Sequence, residues 1–190
     1  MNMPRNQRGL TLIEMLVAVS IFSVVMLISV GSLVSINDAN RKTQLQRTVI
    51  DNLNFATENM ARNLRVGTTY HCDFNVSPIA SVRDCTGGAS SIVFEGYKGN
   101  PGNATDQVVY RLNSSTGQVE RSLDSGSSFI PITSPELTID NLIFYVTGTS
   151  AGDQQQPRVI IVISGTATFK NGQTTHFSLE TAITQRKLDS

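Results

Sequence analysis

Arg8-Gly9-Leu10-Thr11-Leu12-Ile13-Glu14-Met15-Leu16 is the stretch on which the fold turns. Glu14 is the only charged side chain between Leu10 and Ile36, a run of 27 residues, and about 20 apolar residues suffice to cross a bilayer. A carboxylate inside such a span costs roughly 2.5–3.5 kcal/mol on insertion scales, so it marks a functional position that needs a positive partner at the same depth. An ordinary secretory signal has an apolar core of about 7–15 residues closed by a small-residue cleavage site. This stretch is longer, and no Ala-x-Ala closes it. A plain signal anchor explains the length but leaves Glu14 unexplained. Arg5 and Arg8 put the N-terminus in the cytoplasm by the positive-inside bias, and everything after about residue 36 on the other side.

The same block resembles the class III signal of type IV pilins and type II secretion pseudopilins. The matching residues are a short basic leader (Arg5, Arg8), Gly9 at the cut, Thr11-Leu12-Ile13-Glu14, and the apolar run from Met15 to Val30. The resemblance implies that a prepilin peptidase cuts between Gly9 and Leu10 and N-methylates the new terminus at Leu10. Glu14 then becomes the fifth residue of the mature chain, where the family pairs this carboxylate with the terminal amine of a neighbouring subunit. The first mature residue is usually Phe, and Leu10 departs from that pattern. Major pilins commonly carry a proline near the place of Gly31, which here is flanked by Ser29, Ser32 and Ser35. Glycine in a helix interior costs about 1 kcal/mol relative to alanine, so the position suits either a bend or close helix packing in the membrane.

Charge is zero overall but unevenly spread. Residues 37–71 carry five basic and three acidic side chains, a net of +2, and residues 72–190 carry eight basic and eleven acidic, a net of −3. No basic stripe offers itself to a polyanion, which argues against a nucleic-acid partner, and the absence of Trp argues against a carbohydrate-stacking platform. Cys72 and Cys85 fall on the outer side, where disulfides persist, and their spacing favours a structural disulfide closing a loop of 14 residues. His71 and His176 are the only histidines, too few ligands beside one cysteine for a zinc site. The chain has no Gly-rich phosphate loop, no Gly-x-Ser-x-Gly and no His-Glu-x-x-His, so neither an enzyme nor a cofactor is expected. Asp106 and Asp153 are the loop carboxylates that a calcium site like those of some pilin-like proteins would use, but solvated turn residues are the preferred reading. Asn75, Asn103 and Asn113 head Asn-x-Ser/Thr triplets that read as chance in a chain rich in those residues.

Past the span, Leu45, Val49, Leu53, Ala56, Met60 and Leu64 recur at steps of four and three, drawing one apolar stripe. The expectation is one nearly continuous helix from about Thr11 to Leu64, ending at Val66-Gly67 where glycine offers a cap. From residue 90 the period changes to two. Strands are expected at Ser91–Tyr97, Gln107–Asn113, Gln118–Leu123, Leu137–Val146, Arg158–Phe169 and Thr174–Gln185. Lys170-Asn171-Gly172-Gln173 is a hairpin signal between the last two, and residues 113–117 form a looser one.

This order implies an α+β, pilin-like fold: a long N-terminal transmembrane and stalk helix packed on an antiparallel β-sheet domain. The divisions are a leader (1–9), a transmembrane part (10–36), an extracytoplasmic amphipathic half-helix (37–67) and a β domain (68–190). Within that superfamily the chain looks most like J-type minor pseudopilins, through Asp51-Asn52-Leu53, Ala61–Arg65, Val109–Leu112, Gly117–Arg121 and Leu142–Val146. The resemblance implies a structural subunit in the cytoplasmic membrane and then in an extracytoplasmic filament. Its implied partners are the lipid bilayer, sister pilins or pseudopilins, the prepilin peptidase and an inner-membrane assembly platform. The alternatives are a pilus-tip adhesin, a substrate or DNA-uptake receptor, or a signal-anchored extracytoplasmic binding domain.

Overall fold

The computed structural model describes residues 9, 11–97, 99–100, 102–150, 152–153, 155–168, 172 and 174–186, the side chain of Leu45 excepted. The chain divides into two compact units, Met1–Leu45 and Gln46–Ser190. Helix α1 (Leu12–Val66) contributes to both.

Helix α1 begins where Thr11 Oγ1 accepts a hydrogen bond from Glu14 N at 3.3 Å, which satisfies one of the donors that every helix start leaves free. From Leu12 to Gln44 its side chains are exposed. The run from Leu12 to Ile36 is about 37 Å long at 1.5 Å per residue, enough for the roughly 30 Å hydrocarbon core. Four of the five serines in that run turn their hydroxyls back onto the helix. Ser20, Ser23, Ser29 and Ser32 each donate to the carbonyl four residues back, at 2.8–3.1 Å, as a lipid environment demands.

In the second unit the stripe from Val49 to Leu64 is buried: Val49, Leu53, Ala56, Met60 and Leu64 are all core residues. Val49, Leu53, Met60 and Leu64 share one hydrophobic cluster with strand residues such as Phe94, Tyr110, Leu142, Phe144 and Ile161. Among the described residues nine strands form two antiparallel sheets where the sequence suggests one. The first sheet has the order β1 (Thr68–Cys72), β3 (Ser91–Glu95), β4 (Gln107–Asn113), β5 (Gln118–Ser122), β6 (Ile130–Pro131). The second has the order β2 (Cys85–Ala89), β7 (Leu137–Thr147), β8 (Arg158–Thr168), β9 (Thr174–Thr184). Strand β3 is buried along its whole length, so both its faces are covered. Strand β8 instead alternates: Val159, Ile161, Ile163, Gly165 and Ala167 are buried and the residues between them are half-buried. The turn between β8 and β9 lies outside the described residues except for Gly172, which has φ +79°. The register closes at Thr168↔Thr174.

Gly67 follows the helix, but not as a left-handed cap. Its N–H donates to Asn63 O at 3.0 Å and Leu64 O at 3.2 Å, and the positive φ falls two residues later, at Thr69 (53°). A Cβ on Gly67 would stand 2.5 Å from Phe94 Cδ2, so glycine is needed here for close approach of the chain to an aromatic ring.

Candidate functional site

Two places in the chain carry the residues singled out from sequence. At the amino terminus, Gly9 is exposed, while Arg5, Arg8 and Leu10 lie outside the described residues. Glu14 is exposed in the first turn of α1 and makes no salt bridge among the described residues. An acidic side chain there is favoured by the helix dipole, by about 0.3–1 kcal/mol at an exposed site. Thr11-Leu12-Ile13-Glu14 also has the Thr-x-x-Glu form of a capping box. The structure shows one half of that box, the bond from Glu14 N to Thr11. That bond comes from the backbone of residue 14, so what the Glu14 side chain itself adds at the start of its helix is its charge against the dipole.

The second place is the cystine loop. Cys72 ends β1 and Cys85 begins β2, so their disulfide joins the two sheets, with Cα atoms 5.8 Å apart. Several polar contacts hold the enclosed segment. Cys72 N donates to Arg83 O, Arg83 N donates to Tyr70 O, and Arg83 Nη1 donates to Cys72 O at 2.6 Å. Asp84 accepts from Gly148 N and Thr149 N at 3.1 and 3.0 Å, tying the loop to the end of β7. His71 is buried inside the loop, its two ring nitrogens 2.8 and 2.7 Å from Ser81 O and Val76 O. This histidine is a loop organiser, and among the described residues no set of metal ligands surrounds it.

The other carboxylates mostly close turns. Asp73 accepts from Asn75 N, Asp106 from Asn100 N and Asp153 from Gln155 N. Asn103 and Asn113 do the same for Thr105 N and Ser115 N, as short polar side chains do in Asx turns. Asp124 accepts from Ser122 Oγ and from the hydroxyl and amide of Ser128; these bonds lower its pKa to about 2.

Three buried polar groups were not legible in the sequence. The Tyr70 hydroxyl lies 2.5 Å from Leu64 O and 3.0 Å from Gly67 O. The Tyr110 hydroxyl accepts from Asn63 Nδ2 and donates to Asn59 Oδ1. Burial pushes both phenols up. Glu95, at the end of β3, is buried with Oε1 unpartnered, while Oε2 accepts from Gln107 Nε2. Burial raises its carboxyl above the ordinary value, the Gln107 bond offsets part of the rise, and the charge of Asp106 adds to it. A carboxyl raised on folding contributes stability below its unfolded value, about 4.3, and that contribution is lost as pH rises through the folded value. Glu95→Gln is therefore expected to raise stability at pH 7, by about 1–2 kcal/mol, and to leave it nearly unchanged at pH 4. Urea denaturation at the two pH values checks this; equal effects at both would assign the gain to packing.

Residues 4–30 match the family model of the prokaryotic N-terminal methylation motif. No curated protein and no solved structure matches the chain. The motif covers the basic leader, Gly9, Glu14 and most of the apolar run, and the helix that follows is long and apolar enough to cross a membrane. Behind that signal, which is of the type IV pilin and pseudopilin kind, the described residues form an α+β, pilin-like fold of one long helix and two antiparallel sheets.

Proposed function

We propose that this chain is a minor structural subunit of a type IV pilus or a type II secretion pseudopilus, with the J-type pseudopilins as its nearest kind. A prepilin peptidase removes residues 1–9 and methylates the amine of Leu10. The N-terminal helix holds the protein in the cytoplasmic membrane with its β domain outside, and then enters the filament core. There Glu14 pairs with the terminal amine of a neighbour, and the inner-membrane assembly platform drives the step. The observation that carries this reading is Glu14 itself: one carboxylate, exposed and without a salt bridge among the described residues, at the start of an apolar helix in which four serines bond to carbonyls of their own helix. Bringing a buried ammonium to it in the filament offsets the penalty of placing it in lipid.

The charge of Glu14 against the dipole of its helix supports a second reading, a signal-anchored binding domain in which Glu14 serves its own helix alone. Processing separates the two. Intact-mass measurement of the exported protein is expected to show a chain beginning at N-methylated Leu10. Gly9→Val, which puts a branched side chain at the scissile bond, is expected to leave the leader attached while insertion continues. A mature protein that still begins at Met1, or one cut after residue 30, would leave the anchor reading standing.

A further inference from the structure

Beside the cystine loop lies a cleft of about 290 Å³ between Phe74 and Asn75, the start of β3 at Ser91, and the end of β4 from Arg111 to Ser114. Its walls are tied together by the bond from Phe74 N to Ser91 Oγ at 2.9 Å and by a set of contacts around Arg111. Nε and Nη2 of Arg111 donate to Glu120 Oε2 at 3.1 and 3.0 Å. The guanidinium lies over the ring of Phe129, 3.4 Å from its centroid. Phe129 in turn meets Phe74 edge-on at 6.2 Å. Phe74 has its place because residue 126 is glycine: a Cβ there would stand 2.3 Å from Phe74 Cζ, and the backbone is left-handed at φ +86°. The partner carboxylate is spent, since Glu120 Oε1 accepts from Asn113 Nδ2 at 2.7 Å. Nη1 is then the guanidinium nitrogen that donates to nothing among the described residues.

We propose that this cleft binds a carboxylate of a polypeptide, an acidic side chain or a chain end, with Arg111 Nη1 as the charged donor. A guanidinium held by a fork and a stacked ring has already lost its rotational freedom, so little ordering remains to be done on binding. Among the described residues Arg111 is the only ionic side chain lining the cleft. With Glu120 beside it, the site offers enough positive potential for one carboxylate and too little for a phosphate dianion. The hydroxyls and amides of the rim suit the peptide groups on either side of such a carboxylate. The cystine loop supplies one wall through Phe74 and Asn75, so the disulfide also shapes the site. The proposal is independent of how Glu14 acts in assembly.

The test uses the full mature chain, isotope-labelled in detergent micelles and followed by NMR at the Arg111 Nε–H and the amides of Asn75 and Ser114. Four probes are titrated: acetyl-Gly-Glu-Gly-amide, the same peptide with Gln, Gly-Gly-Gly with a free carboxylate, and inorganic phosphate. Saturable shifts are expected with the Glu peptide or the free tripeptide, and which of the two binds tells a side chain from a chain end. The Gln peptide, and the Glu peptide against Arg111→Gln, are expected to bind about tenfold more weakly, as for loss of one charge-assisted bond. Ser114→Trp, at an exposed turn position, keeps Arg111 and fills the cleft, so it is expected to abolish binding with the rest of the spectrum intact. Equal binding by the Gln peptide, unchanged binding by the Ser114→Trp protein, phosphate binding as tightly as the acidic peptides, or no saturable shift with any probe would each overturn the proposal.

Discussion

Glu14→Gln is expected to be processed at Gly9 and inserted like the wild-type protein, yet to lose association with sister subunits. Gln keeps the size of the side chain and its capacity to serve a capping box, but it cannot neutralise an ammonium group. Breaking a buried ion pair from one side typically costs about 3–5 kcal/mol, because the remaining charge is left uncompensated. Glu14→Ala carries the same loss and also removes the penalty of a carboxylate in lipid, so its insertion is expected to be equal or better. Neither substitution touches the start of the helix directly, since the bond to Thr11 comes from the backbone N–H of residue 14. Crosslinking and co-purification with sister pilins, run beside a processing assay, measure this. Full partner recovery by both variants would show that Glu14 is not an assembly contact, and its charge against the helix dipole would then be its whole role.

Removing the disulfide as Cys72→Ala with Cys85→Ala is expected to lower stability by about 3 kcal/mol, the chain-entropy figure for a loop of this size. Alanine is the better replacement because Cys72 is fully buried and a serine hydroxyl there would lack a ready partner. The loop has other tethers: the two amides that bind Asp84, the backbone exchange between Tyr70, Cys72 and Arg83, and the carbonyls around His71. Proteolysis is thus expected to rise within residues 73–84 first, ahead of the sheets. Denaturant midpoints and limited proteolysis of the full chain in detergent decide it. An unchanged midpoint would mean that the polar tethers alone hold the loop.

The long regular elements could be read from periodicity because burial imposes it. Helix α1 and the six expected strands stand close to their anticipated bounds, and the stripe from Val49 to Leu64 faces the core. Three strands escaped notice for separate reasons. Strand β2 is Cys-Thr-Gly-Gly-Ala, poor in strand-forming side chains, and it forms because β7 offers it an edge. Strand β6 is two residues with a proline at the rim of its sheet. Strand β1 is wedged between the helix end and the cystine loop, and it has an irregular register with β3. Alternation tells which face of a strand is buried but not which strand it pairs with, so one sheet was expected where there are two. The amino-terminal signal was fully legible because it is a linear motif. The Arg111 cleft was not, although the turn at residues 113–117 places Arg111 opposite Glu120 and would have disclosed the pair. Its remaining parts, Phe74, Gly126 and Phe129, come from distant segments.

The close of helix α1 bears on how the protein carries load. The last helical carbonyls do not end in water: Tyr70 reaches Leu64 O, and the N–H of Arg186, just past β9, donates to Arg65 O at 2.8 Å. Tension applied along the helix therefore enters the β domain through two anchors far apart in sequence, one from β1 and one from beyond the last strand. These bonds and the packed stripe resist in parallel, so they must rupture together rather than peel one at a time. A helix anchored this way resembles a rivet set from both ends, and single-molecule pulling from residue 46 would meet one high force peak in place of a staircase.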